Sequence, residues 1–142
     1  MSFEEKSAWG SLVGLLLVSG WYFPKAAYLA STSESSAPLI AISVGWIVAM
    51  IIILSVYHGV IALWGYDTDE RDRMIELKAE RIASHVFSVL LLIVVGQIMA
   101  EYFKPDAESV TALTVGVAIL LAMAIAEAVK YAAQIVYYRV GA

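Results

Sequence analysis

Two histidines, His58 and His85, are the only imidazoles in this chain. His58 stands six residues before Trp64 and His85 three residues after Ile82, so each lies close to the same end of a long apolar segment. Two rings at equal depth on neighbouring helices are what a bis-histidine haem b needs, because axial imidazoles must reach one iron from opposite sides. The simpler reading is that each ring hydrogen-bonds a neighbouring helix. Glu127, Lys130 and Gln134 recur at helical spacing, as do Arg81, Ser84, His85 and Ser88. Ionisable groups are costly in lipid and tend to pair and to face a bundle interior. The expectation is an ion pair of Glu127 with Lys130 or with Arg81. Such a cluster could also serve a proton path or an inward-facing binding pocket.

Other chemistries find no support. Asp67, Asp69, Glu70 and Asp72 suggest a calcium loop, but the sixth position, which requires Gly, holds Asp72, and the twelfth, which requires Glu, holds Lys78. With no cysteine there are no thiolate ligands, disulfides or cysteine nucleophiles. Phosphate-loop, zinc-protease, dinucleotide and nucleophile-elbow motifs are missing from the sequence. A net charge of −4 opposes nucleic-acid binding. The chain reads as non-enzymatic, with no metal site.

The elements that hold these residues are apolar. The chain of 142 residues is 61% hydrophobic with a mean hydropathy of +0.80, above the usual soluble range. A bilayer crossing needs about 20 apolar residues. Four segments are candidates, at about 7–23, which is short for a crossing, 38–64, 82–103 and 110–130, the last keeping its helical pattern to about Tyr138. Pro24 interrupts the first, and Ala26–Ala30 extends it as a kinked or interfacial turn. Pro38 suits the first turn of the second. Acidic Glu4 and Glu5 precede the first segment, so it reads as a retained helix rather than a signal peptide.

Between the second and third spans, residues 67–81 carry four of the nine basic and six of the thirteen acidic residues. Asp67 or Thr68 can cap a helix there, with Asp67 and Glu70 spaced as a capping box. No Gly or Pro separates this run from span three, so one helix of roughly 50 Å is expected from about Thr68 to Phe103. Its apolar Met74, Ile75 and Leu77 need cover, from the end of span four or from a partner. Asp69, Glu70, Arg71, Asp72 and Arg73 are the candidates for partner contact.

Four crossings put both termini on one side. Lys6, Arg71, Arg73, Lys78, Arg81, Lys130 and Arg139 then share a face, against Lys25 and Lys104 opposite. Basic loops stay cytoplasmic, giving an N-in/C-in protein. The expected fold is an all-α, four-helix transmembrane bundle forming one domain, with helix three extended into the cytoplasm. Gly10 and Gly14 on span one and Ala118, Ala122 and Ala126 on span four form narrow faces. Small residues let helix backbones approach, inside the bundle or across an oligomer seam.

The start Met1-Ser-Phe-Glu-Glu-Lys6, the motif Asp69-Glu-Arg-Asp-Arg73 with Ile75-Glu-Leu-Lys78 and Glu80-Arg-Ile82, and the ending Gln134-Ile-Val-Tyr-Tyr-Arg139 are together distinctive. They resemble a family of small bacterial four-span membrane proteins of unknown function. The resemblance implies a multi-pass protein of the bacterial inner membrane and brings no catalytic residue, cofactor or substrate. The leading expectation is an integral scaffold or accessory subunit, contacting a membrane-protein partner or further copies of itself. The alternatives are a small haem-b electron carrier and a proton-coupled or small-solute carrier.

Overall fold

A computed structural model describes residues 3–32, 36–63, 69–103 and 112–140, except for the side chains at 58, 61, 62 and 102. Four helices account for these residues: α1 (Phe3–Thr32), α2 (Ala37–Leu63), α3 (Glu70–Tyr102) and α4 (Ala112–Val140). Each is long and apolar enough to cross a membrane. The outward surface agrees with that composition. Leu17 is 70% exposed and Leu92 72%, while the interior holds many small side chains. A water-soluble bundle would bury such large apolar groups.

Local chemistry explains the helix limits. The Ser36 carbonyl accepts the Ile40 N–H at 3.0 Å, and Pro38 falls in the first turn, where no N–H is needed. Asp69 caps α3, its carboxylate accepting the Glu70 N–H at 2.7 Å from an extended backbone (φ −72°, ψ 156°). The cap is thus Asp69 rather than Asp67 or Thr68, which lie outside the described residues. From there α3 continues unbroken to Tyr102, about 50 Å.

Helix α1 departs from expectation. It runs through Pro24 to Thr32 instead of being interrupted there. Proline removes a bond to the carbonyl four residues earlier and crowds it. That residue is Gly20; α1 nevertheless continues to Thr32, as helices in an apolar setting tolerate a proline whose freed carbonyl is met by local adjustment. At the helix end, the hydroxyls of Ser31 and Thr32 both donate to the Tyr28 carbonyl, at 2.9 and 2.7 Å.

The helices pack in the spatial order α2–α1–α4–α3. Helix α1 buries the stripe Glu5, Ala8, Ser11, Leu15, Ser19, Tyr22 and Ala26, lying between α2 and α4. Tyr22, completely buried, stacks near Phe23 and Trp46 with ring centroids 4.8 and 5.5 Å away. Its hydroxyl donates to Ser43 Oγ at 2.8 Å, and Ser43 donates onward to the Leu39 carbonyl at 2.7 Å. One consequence opposes the sequence reading. Helices α2 and α3, consecutive and expected side by side, form no substantial interface among the described residues. The central pair α1 and α4 separates them.

Candidate functional site

Polar groups converge at the end of the bundle where α1 and α3 begin and α2 and α4 finish. Glu5, buried at the start of α1, accepts a hydrogen bond from Arg139 Nε near the end of α4 at 3.2 Å. The Arg139 guanidinium also lies 5.7 Å from the Trp9 ring centroid. Across the next interface, Tyr138 and Asp72 of α3 line one cavity together. Ile75, 1% exposed, and Ala79, fully buried, pack the charged part of α3 against its neighbours. The charged run therefore does not project alone. The beginning of α1 and the end of α4 run beside it.

These three helices enclose a cavity of about 230 Å³. Glu4, Ser7 and Ser11 of α1, Asp72 and Glu76 of α3, and Lys130, Tyr131, Gln134 and Tyr138 of α4 line it. Ser11 and Tyr131, both buried, form its inner limit. One turn deeper Leu15, 2% exposed, returns α1 to an apolar lining. Several waters fit such a volume and find the two to four polar partners each requires. Among the described residues, no group of three His, Asp or Glu side chains is arranged to hold a metal ion.

Lys130 organises the adjoining ion pairs. Its Nζ stands 3.2 Å from Glu80 Oε2 and 4.0 Å from Glu127 Oε2. The pairing of Lys130 with Glu127 foreseen from their spacing is the longer of the two. The pairing of Glu127 with Arg81 is replaced. Arg81 is exposed, and Glu80, one residue earlier on the face turned toward α4, completes the trio. One residue is a 100° rotation on a helix, and charge content alone does not say which neighbour faces inward.

The helix order gives the two histidine-bearing helices no substantial interface among the described residues. His85 is exposed on α3, and its Nδ1–H donates to the Arg81 carbonyl at 2.6 Å. His58 belongs to α2, which does not pack on α3, and its side chain lies outside the described residues. The polar residues of the far end, Gln97, Glu101 and Thr114, border a separate cavity of about 440 Å³ between α3 and α4. Thr114 and Lys130 are sixteen residues apart on α4, roughly 24 Å at helical rise. From 115 to 126 the α4 positions carry no charge, among them buried Ala122, Ala124 and Ala126.

The glycine motif works inside the molecule. Tyr57 of α2 lies across Gly10, where an added Cβ would come within 2.8 Å of Tyr57 Cζ. The hydroxyl donates to the Ser7 carbonyl at 2.9 Å, with the Lys6 carbonyl at 3.4 Å. Gly14, one turn on, has Ile53 at 3.7 Å from its Cβ position. Ala122 and Ala126 are buried on α4, and Ala118 is half-buried.

Of the five partner-contact candidates, Asp69 is committed to the cap and Asp72 lines the cavity with Tyr138. Glu70, Arg71 and Arg73 are exposed. Ile75 found its cover within the chain, but Met74 and Leu77 remain 53% and 59% exposed. Sequence reasoning missed Glu5, Ser11, Tyr57, Glu80 and Tyr138. Their signal was available as polar side chains near the terminus-bearing ends of the helices, with Glu80 inside the charged run itself. Comparison of the chain with protein-family models, with curated proteins and with solved structures finds no match.

Proposed function

We propose that this chain is an integral membrane accessory subunit, held with both termini in the cytoplasm, that binds a partner through the outer face of α3. The observation that carries the reading is the division of the charged segment into two faces. Its inner face, with Ile75 and Ala79 buried and Asp72 half-buried, is turned toward α4. Its outer face leaves Met74 and Leu77 uncovered between Arg71, Arg73 and Arg81. Exposed apolar side chains ringed by charge are the composition of a docking patch. Such a patch on a segment leading out of the membrane suits a partner with acidic and apolar groups near its own inner surface.

The orientation rests on the basic residues gathered at the terminus-bearing end. The resemblance to bacterial four-span proteins supports the inner membrane as the location. A photo-activated side chain placed at Leu77 tests the partner directly in living cells. One discrete adduct from Leu77 and from Met74, with none from buried Ala79, is expected. Equal labelling from all three positions, or no adduct from the exposed pair, overturns the reading.

A further inference from the structure

A second concavity lies at the α3–α4 interface, on the opposite side of Lys130 from the polar cavity. It encloses about 260 Å³. Its character changes along its length. Glu80, Glu127 and Lys130 stand at one end, with Phe87, Met123 and Ala126 toward the other. Ala126 and Ala83, both nearly buried, keep the helices close and leave a shallow floor.

The charged end is unbalanced. One ammonium faces two carboxylates, and the carboxylates keep much of their surface open, Glu80 62% and Glu127 44% exposed against 19% for Lys130. An ionised carboxylate offers about four acceptor sites, of which Lys130 occupies few. The mouth therefore carries a net negative charge and unused acceptors while holding one cation that can contact an anion. The depth is equally specific. Glu80 and Arg81 directly precede Ile82–Ala100, nineteen residues without a formal charge, about 29 Å at helical rise and close to the hydrocarbon thickness. The mouth thus falls at headgroup level, and Phe87, seven residues on, about 10 Å deeper.

We infer that this groove holds a phospholipid whose headgroup carries a primary ammonium. The inference rests on the membrane placement above. The lipid ammonium donates to Glu80 and Glu127, the phosphate lies beside Lys130, and the upper acyl chain lies along Phe87, Met123 and Ala126. Charge-assisted hydrogen bonds of this kind are short and about twice as strong as neutral ones. A quaternary headgroup has no N–H to donate. An anionic headgroup without an amine meets the two carboxylates unfavourably.

The test uses full-length protein reconstituted in vesicles of equimolar phosphatidylethanolamine, phosphatidylcholine and phosphatidylglycerol. The protein is then gently extracted, and its retained lipids are counted by native mass spectrometry. The expected result is retention of phosphatidylethanolamine about tenfold above either competitor, the lower end of the scale of one ionised hydrogen bond. Glu127→Gln with Glu80→Gln removes that preference, while Met123→Trp fills the groove and lowers retention of all three lipids. Circular dichroism and tryptophan fluorescence establish that the variants remain folded, and Glu127→Gln alone serves if the double variant does not. Equal retention of the three lipids, a preference for phosphatidylglycerol, or an unchanged preference in the folded Glu→Gln variant overturns the inference. Failure of the wild-type chain to float with the vesicles would instead overturn the membrane placement.

Discussion

Replacing Gly10 by alanine should destabilise the protein, although the same change in an open helix stabilises it. Alanine is the better helix former by about 0.8–1 kcal/mol. At Gly10 the new methyl meets Tyr57, with its ring carbon Cζ 2.8 Å from the added atom. Overpacking of this kind costs about 1–3 kcal/mol. Displacing the ring also strains the hydroxyl's bond to Ser7, and interhelical hydrogen bonds in membranes are worth about 0.6 kcal/mol. The balance is a loss of about 0.5–2.5 kcal/mol, taken up at the α1–α2 contact. Helix α2 packs mainly on α1, so little else restrains it. Gly45→Ala and Gly59→Ala are the controls, because nothing lies within 4 Å of either Cβ position. They should gain about 0.4–1 kcal/mol. Unfolding by sodium dodecyl sulfate from mild-detergent micelles, followed by tryptophan fluorescence, reports all three. Tyr57→Leu should remove most of the penalty from Gly10→Ala in a double-mutant cycle. The packing argument is refuted if Gly10→Ala stabilises as much as Gly45→Ala, or if Tyr57→Leu leaves its cost unchanged.

Other substitutions probe the terminus-bearing end. Ile75→Ala should cost about 2–4 kcal/mol and speed limited proteolysis near the start of α3, whereas Met74→Ala and Leu77→Ala should stay within about 0.5 kcal/mol. Arg139→Ala should cost about 1–3 kcal/mol, because it leaves the buried Glu5 carboxylate without that cation. Glu5→Gln should cost less in the same denaturation assay, since it removes the buried charge itself. At the far end, Tyr22→Phe removes the bond to Ser43 and should cost about 0.6 kcal/mol, with the ring packing retained.

Much of the architecture was legible in the sequence because lipid makes a simple demand. Long charge-free runs such as Ile82–Ala100 become helices, since each must satisfy its own backbone. The continuity of α3 followed from the lack of Gly or Pro between Asp69 and Gly96. Helix order was not legible. Connectivity suggested that α2 and α3 are neighbours, but the narrow face of α1 at Gly10 and Gly14 receives α2, while α4 packs on α1 and α3. The reach of α1 beyond Pro24 was not legible either, because proline breaks helices in water but is tolerated in an apolar setting. At the candidate site, charge content marked the right depth. The choice of Glu80 over Arg81 depended on a rotation that composition does not encode. Glu5 read as a terminal acid, and only the return of α4 beside α1 gives it Arg139.

If four helices cross a membrane with the charged end of α3 inside, as proposed, single cysteines at the two ends of the bundle label from opposite sides. The chain has no cysteine, so single replacements report without background. Arg71 and Ser31 are both exposed, Arg71 at the terminus-bearing end and Ser31 at the other. With Ser31→Cys, a membrane-impermeant maleimide should react in intact cells. With Arg71→Cys, it should react only after the membrane is opened. Labelling of Arg71→Cys in intact cells while Ser31→Cys stays protected, or recovery of the chain in the soluble fraction, would contradict the account.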